Sequence, residues 1–210
     1  MEINVSFLKK NKSMEETIKS LNASSADGIH VDYMDNTFVK NKSLEIEEMH
    51  LELFQKPLEI HAMVKEPLKY LEKIKKYDIK HYIFHVEAVE NPLEVIMEII
   101  ETGIRPGLAI NPGTSLEILK PYLKYVDTIL LMSVMPGEGG QSFLEETPRR
   151  LEILKSWYPG RIEVDGGINI QTIDKVFLAD AVVCGSFICM SDNYEERIQK
   201  LKNSRNEISF

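Results

Sequence analysis

Eight short apolar runs, separated by stretches of helical periodicity, constrain this chain more than any other feature. The runs are Ile3–Phe7, Gly28–Asp32, Leu58–Met63, His81–His85, Arg105–Ile110, Thr128–Met132, Arg161–Asp165 and Ala181–Cys184. Runs of this kind, followed by amphipathic segments, read as parallel strands of an α/β fold. Two of the amphipathic segments, beginning at Pro67 and Pro92, open on a proline, which suits the first turn of a helix. Strand–helix alternation repeated eight times predicts a (β/α)8 barrel. With 210 residues the chain sits near the small end for that fold, so insertions must be few and one domain over 1–210 is expected. A doubly wound open sheet would show a Gly-rich turn after its first strand, and Leu8-Lys-Lys-Asn is not one. A formal charge of −8 argues against nucleic acid as a partner. No apolar stretch is long enough to span a bilayer, so no membrane role is expected, and the N-terminus lacks the order of a signal peptide. Cys184 and Cys189 read as reduced, partly buried thiols of a cytoplasmic protein.

The chemistry-bearing residues cluster at strand ends. His30 and Asp32 end the second run, His61 falls near the end of the third, and Asp165 ends the seventh. Side chains alternate faces along a strand, so His30 and Asp32 point the same way. In barrels the ligand sits beyond the carboxyl ends of the strands. Two imidazoles and two carboxylates meeting there suit one divalent transition metal, and the carboxylates can also move protons. The second and seventh strands flank the first and eighth in a barrel. Asp32 and Asp165 can therefore approach one ligand from different sides, remove a proton from one face of a carbon and return it on the other. Met34, Met63 and Met132 fall at strand ends, as core filler or as an apolar wall beside a charged intermediate. Glycine segments follow strands six, seven and eight: Gly137-Glu138-Gly139-Gly140, Gly166-Gly167 and Gly185-Ser186. Together they match the phosphate site common in barrels. His85 and Glu87 suit either a supporting shell behind the histidines or a simple core or rim role, Asn36 a turn, and His50 and His81 look incidental. The tail Asn203–Phe210 reads as disordered.

These motifs, in order, resemble the ribulose-phosphate 3-epimerases, a family of metal-dependent phosphate-binding TIM barrels. The resemblance rests on His30-Val-Asp32-Tyr-Met34-Asp35, Ile60-His61-Ala-Met63-Val64, His85-Val-Glu87-Ala88, Ile110-Asn111-Pro112-Gly-Thr114, Met132-Ser-Val-Met-Pro136-Gly137-Glu-Gly139-Gly140-Gln141, Val164-Asp165-Gly166-Gly167 and Gly185-Ser186. It runs from Val5-Ser6 to about Ile188. The resemblance implies one divalent metal (Zn, Fe, Mn or Co) on His30, Asp32, His61 and Asp165, with Asp32 and Asp165 as the acid/base pair. It places Ser6, His61 and the strand-end glycines against the substrate, with Gly137, Glu138, Gly139, Gly140, Gly166, Gly167, Gly185 and Ser186 near a phosphate. Met34, Met63 and Met132 would flank the reacting carbons. It also implies a homo-oligomer and a small-molecule sugar phosphate as partner.

Some positions depart from the family pattern. Asn36 stands where Gly is usual, Lys40 where Pro is usual, Ala62 where Leu is usual, and Glu138 where an aromatic is usual. A carboxylate in a phosphate loop repels the anion unless its side chain turns outward. The expected activity is epimerisation at C3 of a ketose phosphate, with D-ribulose 5-phosphate and D-xylulose 5-phosphate the leading pair. The alternatives are the same chemistry on D-allulose 6-phosphate and a non-catalytic sugar-phosphate-binding paralogue. The intact acid/base pair argues against the paralogue. A decarboxylase-type Asp-x-Lys-x-x-Asp arrangement is absent.

Overall fold

The computed structural model describes residues 1–206. Eight parallel strands close into a barrel in sequence order: β1 Glu2–Ser6, β2 Gly28–Met34, β3 Leu58–Met63, β4 Ile79–His85, β5 Arg105–Ile110, β6 Thr128–Met132, β7 Arg161–Asp165 and β8 Ala181–Cys184. β8 pairs with β1, from Glu2↔Ala181 to Val5↔Cys184, and this pairing closes the ring. Three strands differ in extent from their expected bounds. β1 starts at Glu2, whose N–H donates to the Asp180 carbonyl at 2.8 Å. It stops at Ser6, where the hydroxyl accepts from the Leu8 N–H and turns the chain. β2 continues to Met34 because β3 pairs with it that far, Met34↔Met63, and β4 begins at Ile79 against Leu58.

The connections are less uniform than the alternation implied. The α-helices are α1 Met14–Asn22, α2 Pro67–Ile74, α3 Pro92–Glu101, α4 Thr147–Trp157, α5 Ser186–Cys189 and α6 Tyr194–Asn206. After β2, β5 and β7 the helical pieces are short 3₁₀ turns. The turn at Leu116–Leu119 cannot lengthen, because Pro121 follows and lacks the N–H a helix needs. Such short connections are how a chain of this length completes the ring. α1 is fixed by a capping box, in which the Ser13 hydroxyl accepts from the Glu16 N–H and the Glu16 carboxylate accepts from the Ser13 N–H. Pro67 and Pro92 open α2 and α3 as their spacing predicted, and Pro148 lies in the first turn of α4. The expected disordered tail is corrected in part, since α6 carries 203–206 as helix; 207–210 lie outside the described residues.

The main core fills the layer between barrel and helices, with Tyr82, Phe84, Leu108, Ile129 and Ile162 among its fully buried members. Burying a side chain of this size contributes roughly 1.5–3 kcal/mol. A second cluster of Ile83, Ala109, Leu130, Met132, Val134 and Val183 fills the barrel interior on the side of β4–β6 and β8. The other half of the interior, on β1–β3 and β7, is polar. Cys184 and Cys189 are free thiols, but wholly buried rather than partly so, and burial pushes the Cys189 thiol up to about 12. Among the described residues no helix is long and apolar enough to cross a membrane.

Candidate active site

His30, Asp32, His61 and Asp165 meet at the carboxyl end of the barrel, each offering a ligand atom within 4.8 Å of the others. Register explains the meeting: Ser6 pairs with His30, Asp32 with His61, and β7 places Asp165 beside Met132 and Val183. His30 Nε2 lies 3.5 Å from Asp32 Oδ1 and 3.9 Å from Asp165 Oδ2. His61 Nδ1 lies 3.2 Å and 3.6 Å from the same two oxygens. Donors about 2.1 Å from one tetrahedral ion stand about 3.4 Å apart, so these separations fit a single metal.

One ring nitrogen of each histidine faces the two carboxylates, where a metal would bind. His30 Nδ1 is engaged by Glu59 Oε1 at 2.7 Å, while His30 Nε2 is buried without a hydrogen-bond partner. His61 Nε2 stands 2.8 Å from His85 Nε2, and His85 Nδ1 lies 3.5 Å from Glu87 Oε2. His61 Nδ1 faces the carboxylates, 3.2 Å from Asp32 Oδ1, while its Nε2 is engaged by His85. Histidines that bind metals are held this way by groups behind them. Glu87 is itself fixed, its Oε1 accepting from the Asn111 N–H at 2.7 Å. His85 thus stands behind His61, with Glu87 beside it.

The sequence reading missed a layer beneath the cluster. Glu59, Glu163, Asn4 and His81 are all buried in the barrel. Arg161 Nη1 donates to Glu163 Oε2 at 3.0 Å and to the Thr128 hydroxyl at 3.1 Å, and stands 3.7 Å from Glu59 Oε2. Asn4 Nδ2 donates to Glu163 Oε1 at 2.8 Å. His81, read as incidental, belongs to this layer, with Nδ1 3.8 Å from Glu59 Oε2. The available signal was period-two alternation. Asn4, Glu59 and Glu163 each stand two residues before Ser6, His61 and Asp165, so they face the same interior. His50 is exposed at a left-handed position and takes no part.

Burial and charge set opposite protonation preferences on the two aspartates. Burial alone would raise Asp32, but the imidazoles of His30 and His61 beside it hold it far below the usual carboxylate range. Burial pushes Asp165 up to about 7, and the neighbouring Asp32 carboxylate adds to the rise. Burial lowers His61 to about 4, against the raising effect of the Asp32 carboxylate. Below, burial and the adjacent Glu59 carboxylate raise Glu163 to about 8, whereas Glu59 is lowered to about 2 by His30 and Arg161 against its burial. The ionised member of that pair is therefore the one touching His30.

The remaining expected residues fall around this centre. The Ser6 hydroxyl donates to Asp32 Oδ2 at 2.6 Å. Met63, Met132, Gly137, Glu138, Gly140, Gly166 and Gly167 line a cavity of about 50 Å³ over the cluster. Met34 is buried beside Met63 in the ladder but does not line that cavity. Gly139 lies against Lys9, Gly185 against Ser6, and Ser186 opens α5. Glu138 is exposed, at the rim of that cavity. Asn36 adopts φ 65°, as a turn residue tolerant of that region can. A second cavity of about 300 Å³ opens beside Leu8 and Asp32, toward Lys10 and Lys42.

Comparison with known proteins agrees with this geometry. A model of the "Ribulose-phosphate 3 epimerase family" matches residues 2–189. The chain is 37% identical over 201 residues to a ribulose-phosphate 3-epimerase of Synechocystis, covering 90% of this chain and 87% of that one. It is 35% identical over 207 residues to the Escherichia coli K12 ribulose-phosphate 3-epimerase, covering 93% and 91%. The fold also matches 3-hexulose-6-phosphate synthase from Salmonella typhimurium, with TM-score 0.70, 14% identity and 99% of each chain covered; this likeness concerns the fold alone.

Proposed function

Since this chain belongs to the ribulose-phosphate 3-epimerase family and is a carbohydrate epimerase, we propose that it interconverts D-ribulose 5-phosphate and D-xylulose 5-phosphate with one divalent metal at His30, Asp32, His61 and Asp165. The observation that carries the proposal is the convergence of those four side chains, with a buried and unpartnered His30 Nε2 aimed at the others. The donor set of two imidazoles and two carboxylates suits Zn²⁺, Fe²⁺, Mn²⁺ or Co²⁺. A bound metal would supply Lewis acidity to the oxygens at C2 and C3, lowering the cost of negative charge at the reacting carbon.

The chain's own residues do the rest. An inverting proton transfer needs one ionised and one protonated acid, and Asp32 and Asp165 are biased in those opposite directions. The ionised carboxylate takes the C3 proton and the protonated one delivers a proton to the other face. The Ser6 hydroxyl, 2.6 Å from Asp32 Oδ2, orients that carboxylate. Met63 and Met132 wall the cavity and exclude water from the carbanion. Glu59 and His85 hold the two imidazoles in the tautomers the metal requires. The glycines after β6 and β7 offer backbone N–H groups to the phosphate.

The test is kcat/KM over a panel of ketose phosphates, with metal-stripped and metal-reconstituted protein. The proposal expects the pentulose to lead clearly and the stripped protein to be inactive until metal is returned. A clear preference for D-allulose 6-phosphate would move the substrate and keep the chemistry. Undiminished activity after stripping would remove the metal from the account.

A further inference from the structure

The glycine loop after β6, given above to the phosphate, has a cationic neighbour that the family resemblance does not include. No backbone N–H between Gly137 and Gln141 donates to a protein group among the described residues. The loop is nevertheless held in place. Asn41 Nδ2 donates to the Gly137 carbonyl at 2.7 Å, and Gln141 Nε2 donates to the Met135 and Glu138 carbonyls at 2.6 and 2.9 Å. Its carbonyls are thus tied to the protein while its N–H groups stay open.

Lys9 lies beside the two glycines of this loop. A side-chain carbon built on Gly140 would stand 3.0 Å from Lys9 Nζ, and one built on Gly139 would stand 3.2 Å from Lys9 Cβ. Gly140 needs glycine for its φ of 81° in any case. Gly139 has no such backbone need, and its missing side chain is accounted for by the Lys9 stem passing over it. The other lysines of this segment are otherwise engaged. Lys10 lies over the Phe7 ring, and Lys12 donates to the Ser20 hydroxyl and the Asp192 carbonyl. Lys9 makes no ion pair or hydrogen bond among the described residues. Lys9 is exposed and its ammonium is unpaired among the described residues.

Lys9 follows β1, and between β1 and the β6 loop in the closed ring stand β8 and β7, whose ends carry Gly166, Gly167, Gly185 and Ser186. We propose that Lys9 determines specificity for a phosphorylated ketose, its ammonium and the free N–H groups of Gly139 and Gly140 together holding the phosphate dianion. The proposal rests on the sugar-phosphate reading given above. It also accounts for Glu138 in this loop: the exposed carboxylate is balanced by a cation on the side the anion occupies.

The test compares wild type, Lys9→Met and Lys9→Arg, all metal-reconstituted, on D-ribulose 5-phosphate and on unphosphorylated D-ribulose, with inorganic phosphate as a competitive probe. Loss of one charged hydrogen bond to the dianion should raise KM for the phosphate ester roughly tenfold in Lys9→Met, with kcat within about twofold. The inhibition constant of inorganic phosphate should weaken by the same factor, and Lys9→Arg should restore most of both. Rates on unphosphorylated D-ribulose should not move. KM and phosphate inhibition both unchanged in Lys9→Met, with wild type still preferring the phosphate ester, would overturn the Lys9 assignment alone. A wild type that treats ester and free sugar alike would overturn the sugar-phosphate reading and this assignment with it.

Discussion

Replacing Glu59 by Gln should weaken metal binding without unfolding the barrel. Glu59 Oε1 sits 2.7 Å from His30 Nδ1 and is the ionised partner in the buried layer, while Glu163 is raised to about 8 by burial and by the Glu59 charge beside it. Removing the Glu59 charge relieves Glu163, which ionises and pairs with Arg161 at 3.0 Å. The layer keeps one negative charge and the fold survives, but the charge has moved. His30, Glu59 and Glu163 hold their ligand atoms within 4.8 Å, so the charge recedes from 2.7 Å to as far as 4.8 Å from the ring. At an effective dielectric of about 20 that change amounts to about 2.7 kcal/mol against a full positive charge on the imidazole. A metal-bound ring carries only part of that charge, so a loss of about 1.4–2.7 kcal/mol is expected, or about 10–100-fold in affinity, the range typical of groups behind metal ligands. The assay is competition against a chromophoric chelator, with circular dichroism to confirm folding. Affinity within twofold of wild type in a folded Glu59→Gln protein would refute the reasoning.

Asp32→Asn and Asp165→Asn should each lower kcat at least about 100-fold, with metal content measured alongside to separate lost proton transfer from lost metal; full activity in either would sink the two-base scheme. Gly166→Ala should destabilise the protein by about 3 kcal/mol in a denaturant titration. The reason is that Gly166 sits at φ 114° and the new carbon would stand 2.3 Å from Val134 Cγ2. The metal-stripped protein should lose stability as pH rises above 6.5. Asp165 and Glu163 are acids raised to about 7 and about 8 by burial, so between their unfolded and folded values the native state holds protons the unfolded chain has lost. His30 acts in the same direction: against its burial, Asp32 and Glu59 raise it, and that stability is lost as pH climbs through its folded value. His61 and His81, lowered by burial to about 4, oppose this only below 6.5. A melting temperature that rises from pH 6.5 to 8.5 would contradict the assignment.

The barrel was legible because each strand is a compact apolar run, and β3, β5, β6, β7 and β8 begin and end at the expected residues. The ends of β1, β2 and β4 were not, because pairing with neighbours sets them rather than composition. The 3₁₀ turns after β2, β5 and β7 escaped notice for the same reason: short connections carry little periodicity. At the site, the metal-type quartet was visible from strand-end placement of His and Asp. Glu59 and Glu163 were not, since a charged residue inside a strand looks like a solvent-facing position until the barrel closes around it. His81 looked incidental because it opens an apolar run, and its place beside Glu59 and Arg161 follows only from the closed barrel. Lys9 carries no motif, and its position follows from the closure of β1 on β8 and the bare backbone of Gly139.

The most direct test of the two-base account is proton exchange at the reacting carbon. Metal-reconstituted protein acting on D-ribulose 5-phosphate in D₂O should place deuterium at C3 of the D-xylulose 5-phosphate formed, followed by NMR, and stripped protein should place none. Epimer formed with its original C3 hydrogen retained, or no exchange with any ketose phosphate, would contradict proton transfer through Asp32 and Asp165.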